Sequence, residues 1–197
     1  MGQSQDFTAL CLIERLGGSG GGAQYHVRRL ERTKGTPYPA VVARTKNIMQ
    51  KLPGIKLICD GTGVGRPVLD MFDQAGLRPI GIFIHGGDAV TSDGYGPHGE
   101  APRRFRVPKR DLVATLQVLL QNHRLKIAPV PLSDILASEM LNFKIKIDPV
   151  TAHDSYSSWR EQGHDDLTLA VCLACWWSEN RPRPPIVPEN IFAYTRG

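Results

Sequence analysis

From the N-terminus, FTALCLIERL (7–16) is a mostly apolar stretch of strand length. GGSGGG (17–22) follows as a flexible turn, and AQYHVRRLERT (23–33) then alternates as a second strand, which predicts a hairpin with a long glycine tip. PYPAVVARTKNIMQKL (37–52) carries Val41, Val42, Ile48, Met49 and Leu52 at helical spacing and opens on proline, a helix start. The short apolar run IKLICD (55–60) predicts a strand, GTGVG (61–65) a turn, RPVLDMFDQAG (66–76) a helix closed by glycine, and RPIGIFIHGG (78–87) the next strand. That order is a parallel crossover, which requires a covered sheet.

Residues 88–106 are rich in Gly, Pro and Asp and then basic, and are expected to be loop. Beyond them the pattern predicts an amphipathic helix over 108–122, a short strand in RLKIAPV (124–130), a helix over 132–143 and a strand in KIKID (144–148). A polar loop (151–163) leads to a final helix over 164–178, apolar on nearly every side and so expected to be buried. The proline-rich tail from residue 180 is expected to wrap the surface. No internal repeat interrupts this order, and the class it defines is α/β with a mixed sheet.

Composition changes the picture little. A chain of 197 residues suits one domain, and at this size folding buries roughly 70% of the unfolded surface, so no staples are required. The cysteines Cys11, Cys59, Cys172 and Cys175 sit among apolar residues; CLAC has no second CxxC or paired histidines to complete a zinc site. With no apolar run of the roughly 18 residues a membrane span needs, the expectation is a soluble protein of a reducing compartment. The net charge is +5, with basic residues clustered in VRRLERTK (27–34), RRFRVPKR (103–110) and NRPRPP (180–185). Clustering of this kind suits phosphate contact, and solvated loop faces account for it equally well.

Three acids stand at positions where chemistry gathers. Asp60 ends an apolar strand before a glycine turn, the edge at which open α/β sheets bind ligands; capping of the turn is the simpler role. GTGVG gives G-x-G-x-G rather than G-x-G-x-x-G, and Arg66-Pro67 follows where a P-loop would need Lys and Ser or Thr, so nucleotide binding is disfavoured. Asp165 and Asp166 open the final helix, about 100° apart around it. Acids there gain roughly 0.3–1 kcal/mol from the helix dipole, which is one reason for their presence. Carboxylates on a buried, rigid helix beside a strand-end carboxylate are also what a hard divalent cation requires.

The segments ICDGTGVGRPVLD, FRVPKRDLVATLQVLLQNHRLKI, LNFKIKIDPVTAHDSYSSWREQGHDDLTLAVCLACWW and GQSQDFTALCLIERL together resemble the nuclease domain of phage large terminase subunits, over residues 2–179. The most specific block is G-H-D-D-L followed by an apolar helix ending in Trp. The resemblance implies an RNase H-like mixed sheet flanked by helices, with 1–179 as the nuclease domain and 180–197 as a tail. It implies Asp60, Asp165 and Asp166 as catalytic acids holding Mg²⁺ or Mn²⁺, two ions about 4 Å apart in a phosphodiester hydrolysis, with Asp6 as an accessory acid. Arg66, Arg104, Arg106, Lys109, Arg110 and Arg160 would hold double-stranded DNA, a local ion pair being the competing role for Arg160. His164 and His153 would support the acids by hydrogen bonding rather than ligation. The implied setting is genome packaging in the cytoplasm of a bacterial host, with the ATPase motor or small subunit supplied by another chain.

One departure stands out. The family's first acid lies on the central strand, in a pattern like D-x-G-Q, whereas this chain opens MGQSQD. The expectation is therefore a sheet lacking its first central strand, either a fragment of a longer nuclease or a cleavage-deficient relic that binds DNA or protein. A relative of Holliday-junction resolvases is a third reading.

Overall fold

The computed structural model of the chain describes residues 7–17, 22–97, 99–145 and 165–181. These residues form seven strands and five helices: β1 (Phe7–Leu16), β2 (Gln24–Lys34), α1 (Tyr38–Gln50), β3 (Ile58–Asp60), α2 (Gly61–Gln74), β4 (Ile80–His85), β5 (Thr91–Ser92), β6 (Arg104–Pro108), α3 (Lys109–Gln121), β7 (Leu125–Ile127), α4 (Ser133–Ile145) and α5 (Asp166–Asn180). The mixed α/β class is as expected. The strands form two sheets rather than one, in the orders β1-β2-β7 and β3-β4-β6-β5.

The first sheet is built on the β1–β2 hairpin, with β7 parallel to β2. The second holds β3, β4 and β6 in parallel, with the two-residue β5 antiparallel at its edge. Among the described residues no strand pairs with the second edge of β1 or of β3. Helix α5 packs on β1, β2 and β3, and also on α3 and α4. Leu167, Val171, Cys172 and Cys175 along it are all but fully buried, so its apolar sequence serves as the shared core of both sheets. A smaller cluster of Val42, Val68 and Phe72 joins α1 to α2.

Three local expectations are corrected. GTGVG is the first turn of α2 rather than a separate turn, because the Asp60 carboxylate accepts the Thr62 N–H at 2.8 Å and starts the helix at Gly61. A Cβ at Gly61 would lie 2.7 Å from the Phe83 ring, so a larger residue there requires the ring to move. The expected loop 88–106 contains β5 and the start of β6, where Phe105 and Val107 point into the core between exposed Arg104 and Arg106. That period of two is a strand signature despite the basic composition. Helix α4 runs on through Lys144 and Ile145, where a strand was expected to begin. Residues 146–148 of that strand, the polar loop and the tail beyond 181 lie outside the described residues.

A bulge in the hairpin decides which face of β2 turns inward. The register shifts between Leu12 and Ile13, so that Leu12 faces Arg29 while Ile13 faces Val27. Arg28 is the extra residue, and it reverses the alternation of β2. Tyr25 and Val27 point inward before the bulge, and Leu30 does so after it. Arg32, in phase with Leu30, is thereby turned inward and is only 13% exposed. No described helix is long and apolar enough to cross a membrane.

Candidate functional site

Glu139, Arg32 and Asp166 meet at the N-terminal end of α5. Asp165 takes the cap position, and its carbonyl accepts the Leu169 N–H at 2.9 Å, yet its side chain makes no capping hydrogen bond. The cap comes from another helix. Glu139, on the inward face of α4 between buried Leu136 and Met140, accepts the Thr168 N–H through Oε2 at 2.9 Å. Thr168 is the third residue of α5, and its N–H is one of the donors that a helix cannot satisfy internally.

Arg32 joins this end to the first sheet. Its guanidinium donates to Asp166 Oδ2 at 3.1 Å and lies 3.5 Å from Glu139 Oε1. The Phe7 ring of β1 stacks 4.0 Å from the guanidinium carbon, a cation–π contact. One arginine thus ties β2 to β1, α4 and α5. Burial pushes the Glu139 carboxyl above the usual range; the Thr168 N–H and Arg32 pull it down, and the Asp166 and Asp165 charges push it up again. Glu139 Oε1, Arg32 Nε and Thr168 Oγ1 are buried atoms without a hydrogen-bond partner among the described residues.

Asp60 closes β3, a strand on which α5 packs. Its carboxylate caps α2, and Thr62 Oγ1 in turn accepts the Ile84 N–H at 2.6 Å, pinning the helix start to β4. Asp6, Arg160, His153 and His164 lie outside the described residues. Of the basic candidates, Arg66, Arg104 and Arg106 are exposed, Lys109 is half-buried, and Arg110 pairs with Asp88 at 2.5 Å and approaches Asp111 at 3.6 Å.

Oxygen donors such as those of Glu139 and Asp166 are of the right chemistry for a hard divalent cation. Their observed arrangement does not fit one: among the described residues no three His, Cys, Asp or Glu side chains converge to hold a metal ion. The cation beside Asp166 is Arg32. Sequence reasoning missed both Arg32 and Glu139. A signal existed for the glutamate, since Leu136, Glu139 and Met140 fall at i, i+3 and i+4 on one helical face. For the arginine the only signal is the step of three from Val27 to Leu30, which breaks the alternation and puts Arg32 in phase with Leu30.

No protein-family profile matches the chain, and no curated protein matches it. Among solved structures, the chain is similar to the large terminase nuclease from thermophilic phage G20c. The form with bound zinc has 18% identity, coverage of 89% of this chain and 85% of that one, and a TM-score of 0.48. The cobalt-bound form has 16% identity, coverage of 87% and 84%, and a TM-score of 0.48. For the magnesium-bound form the identity is 16%, the coverage 87% and 84%, and the TM-score 0.46.

Proposed function

We propose that this chain is a nuclease domain of the phage large terminase type, hydrolysing phosphodiester bonds of double-stranded DNA with a divalent cation such as Mg²⁺ or Mn²⁺. The observation that carries the reading is the G-H-D-D-L block at the head of α5, a buried helix packed against the strand that Asp60 ends. Asp60, Asp165 and Asp166 are the proposed catalytic acids. Exposed Arg104 and Arg106 on β6, with Arg66, Lys109 and Arg110, are the proposed phosphate contacts, which predicts sequence-tolerant, salt-dependent binding. Genome packaging, with a motor or small subunit from another chain, is the setting this reading implies.

The test is plasmid cleavage in Mn²⁺ and in Mg²⁺ by the wild type and by Asp166→Ala. Cleavage by the wild type and a loss of about 100-fold or more in the variant supports the assignment. Equal activity in the two removes Asp166 from the site.

A second reading, a cleavage-deficient module that only binds DNA or protein, is favoured by one observation: Arg32 already neutralises Asp166, and the described acids do not converge on a metal position. Salt-dependent retention of duplex DNA without nicking in any divalent cation would select it.

A further inference from the structure

We propose that the open edge of β1 is a docking site for residues 191–195 of the same chain, which add to it as an antiparallel strand. β1 is ten residues long, and among the described residues no strand pairs with its second edge. Ala9, Cys11 and Ile13 on one face pack against the main core. Leu10 and Leu12 fall on the other face by the period of two, and neither core cluster includes them. A strand apolar on both faces has the pattern of an interior strand, yet no residue of β1 is fully buried, whereas Tyr25, Val27 and Leu30 of its neighbour are. From Phe7 to Ile13 the edge carries no charge and no proline, the usual devices that keep an open edge from pairing. Its unpaired N–H and C=O groups call for an extended segment rather than a helix or a flat surface.

The fold brings such a segment to this edge. At one end of α5, Asp166 meets Arg32, whose guanidinium stacks on Phe7. At the other, Glu179 accepts hydrogen bonds from Tyr25 and, at 2.7 and 3.0 Å, from Arg124, and Tyr25 pairs with Arg15 across the hairpin. Helix α5 therefore runs antiparallel to β1, and the chain leaves it at the Arg15 end. Beyond Arg181 the sequence reads PRPPIVPENIFAYTRG (182–197), outside the described residues. A segment heading back from that point runs antiparallel to β1. Residues 182–190 reach up to about 28 Å at roughly 3.1 Å per residue, against a β1 length of about 33 Å, so IFAYT (191–195) can be delivered along most of the strand. Pro182, Pro184, Pro185 and Pro188 cannot donate to a ladder, which puts the pairing beyond them. IFAYT is uncharged and rich in β-forming residues. Its alternation suits the edge: Phe192 and Tyr194 would stand beside Leu10 and Leu12, with Ile191, Ala193 and Thr195 turned towards α5. Tethering sets the effective concentration near the millimolar range, above that of a second copy in dilute solution.

Amide hydrogen exchange along β1, read residue by residue on the full chain at two protein concentrations, tests the docking. In an antiparallel pair alternate residues donate to the neighbour, so alternate amides from Thr8 to Leu12 donate to β2 and the others point to the open edge. In the wild type both sets are expected to be protected, to the same degree at either concentration. Ala193→Pro removes an amide and breaks a strand at its middle; it should speed exchange of the edge set about tenfold or more while the set that donates to β2 stays within about twofold. Unchanged protection of Val171 and Cys172 in α5 shows that the variant is folded. Should Ala193→Pro not fold, Ala193→Gly keeps the amide and weakens the strand, and the edge set should then exchange about threefold faster.

Edge amides that exchange freely in the wild type overturn the proposal. So does wild-type protection of that set in folded Ala193→Pro, which gives the edge to another segment. Protection that appears only as concentration rises, with a dimer by sedimentation, gives it to a second copy and overturns the proposal too. None of these outcomes touches the assignment of Asp166, which plasmid cleavage decides separately.

Discussion

Two helices of this protein begin with an aspartate at the cap, and they use it in opposite ways. In Asp60-Gly61-Thr62 the carboxylate accepts the Thr62 N–H, the glycine makes room for Phe83, and the threonine hydroxyl fastens the turn to β4. Every residue there has a local structural task. In Asp165-Asp166-Leu167 the cap side chain does not cap, the next position carries a second charge, and stability comes from Glu139 and Arg32 on other elements. Residue type and position along the helix are the same; what differs is where the orphan N–H groups find their acceptor.

The largest test of that contrast is Gly61→Ala. The new methyl would meet the Phe83 ring at 2.7 Å, and overpacking of this kind is expected to cost about 1–3 kcal/mol by urea unfolding. An unchanged midpoint would mean that the α2 start is looser than its geometry indicates. Next, Asp60→Ala should lose about 1 kcal/mol, with Asp60→Asn retaining most of it, because the amide oxygen still caps. Asp165→Ala breaks no capping bond of α5, so exchange of the Thr168 amide should stay within about threefold of wild type. A loosening of that amide equal to the one Asp60→Ala causes at Thr62 would erase the distinction between the two helix starts.

The smallest effect concerns the opposite face of β2, where Glu31 neighbours Arg32 in sequence but pairs with Arg44 at 2.5 Å and Arg29 at 2.6 Å. The Arg44 hydrogen bond, against burial and with help from Arg29, holds the Glu31 carboxyl below its usual value. A depressed carboxylate stabilises the fold above its unfolded pKa, and that contribution disappears as pH falls below about 4.5 and through the folded value. Glu31→Gln should flatten the acid limb of the stability profile by less than about 1 kcal/mol, because both arginines are well exposed. A larger change would move weight from the inward to the outward face of this strand.

Much of this architecture was legible in the pattern of the chain. The hairpin, the β3–α2–β4 crossover and the buried final helix follow from period and punctuation alone, because each is decided by residues close together in sequence. β6 was missed because RFRVP reads as basic before it reads as alternating. Of the proposed site, Asp60, Asp165 and Asp166 read from the sequence as acids at strand and helix ends, and those are their places in the fold. Glu139 and Arg32 were not found, since each acquires its role through a partner on another element. Such roles depend on the hairpin register, marked only by the step from Val27 to Leu30, and on how α4 lies against α5, which is written in no local window.

The two thiols of α5 carry a consequence of their own. Burial keeps Cys172 and Cys175 protonated, the latter pushed up to about 12, and no described cysteine is in a disulfide. A thiol reacts as its thiolate, so an alkylating reagent meets these sulfurs only when the helix lifts from both sheets. Their labelling rate is a clock for that opening, read without substituting any residue of the protein.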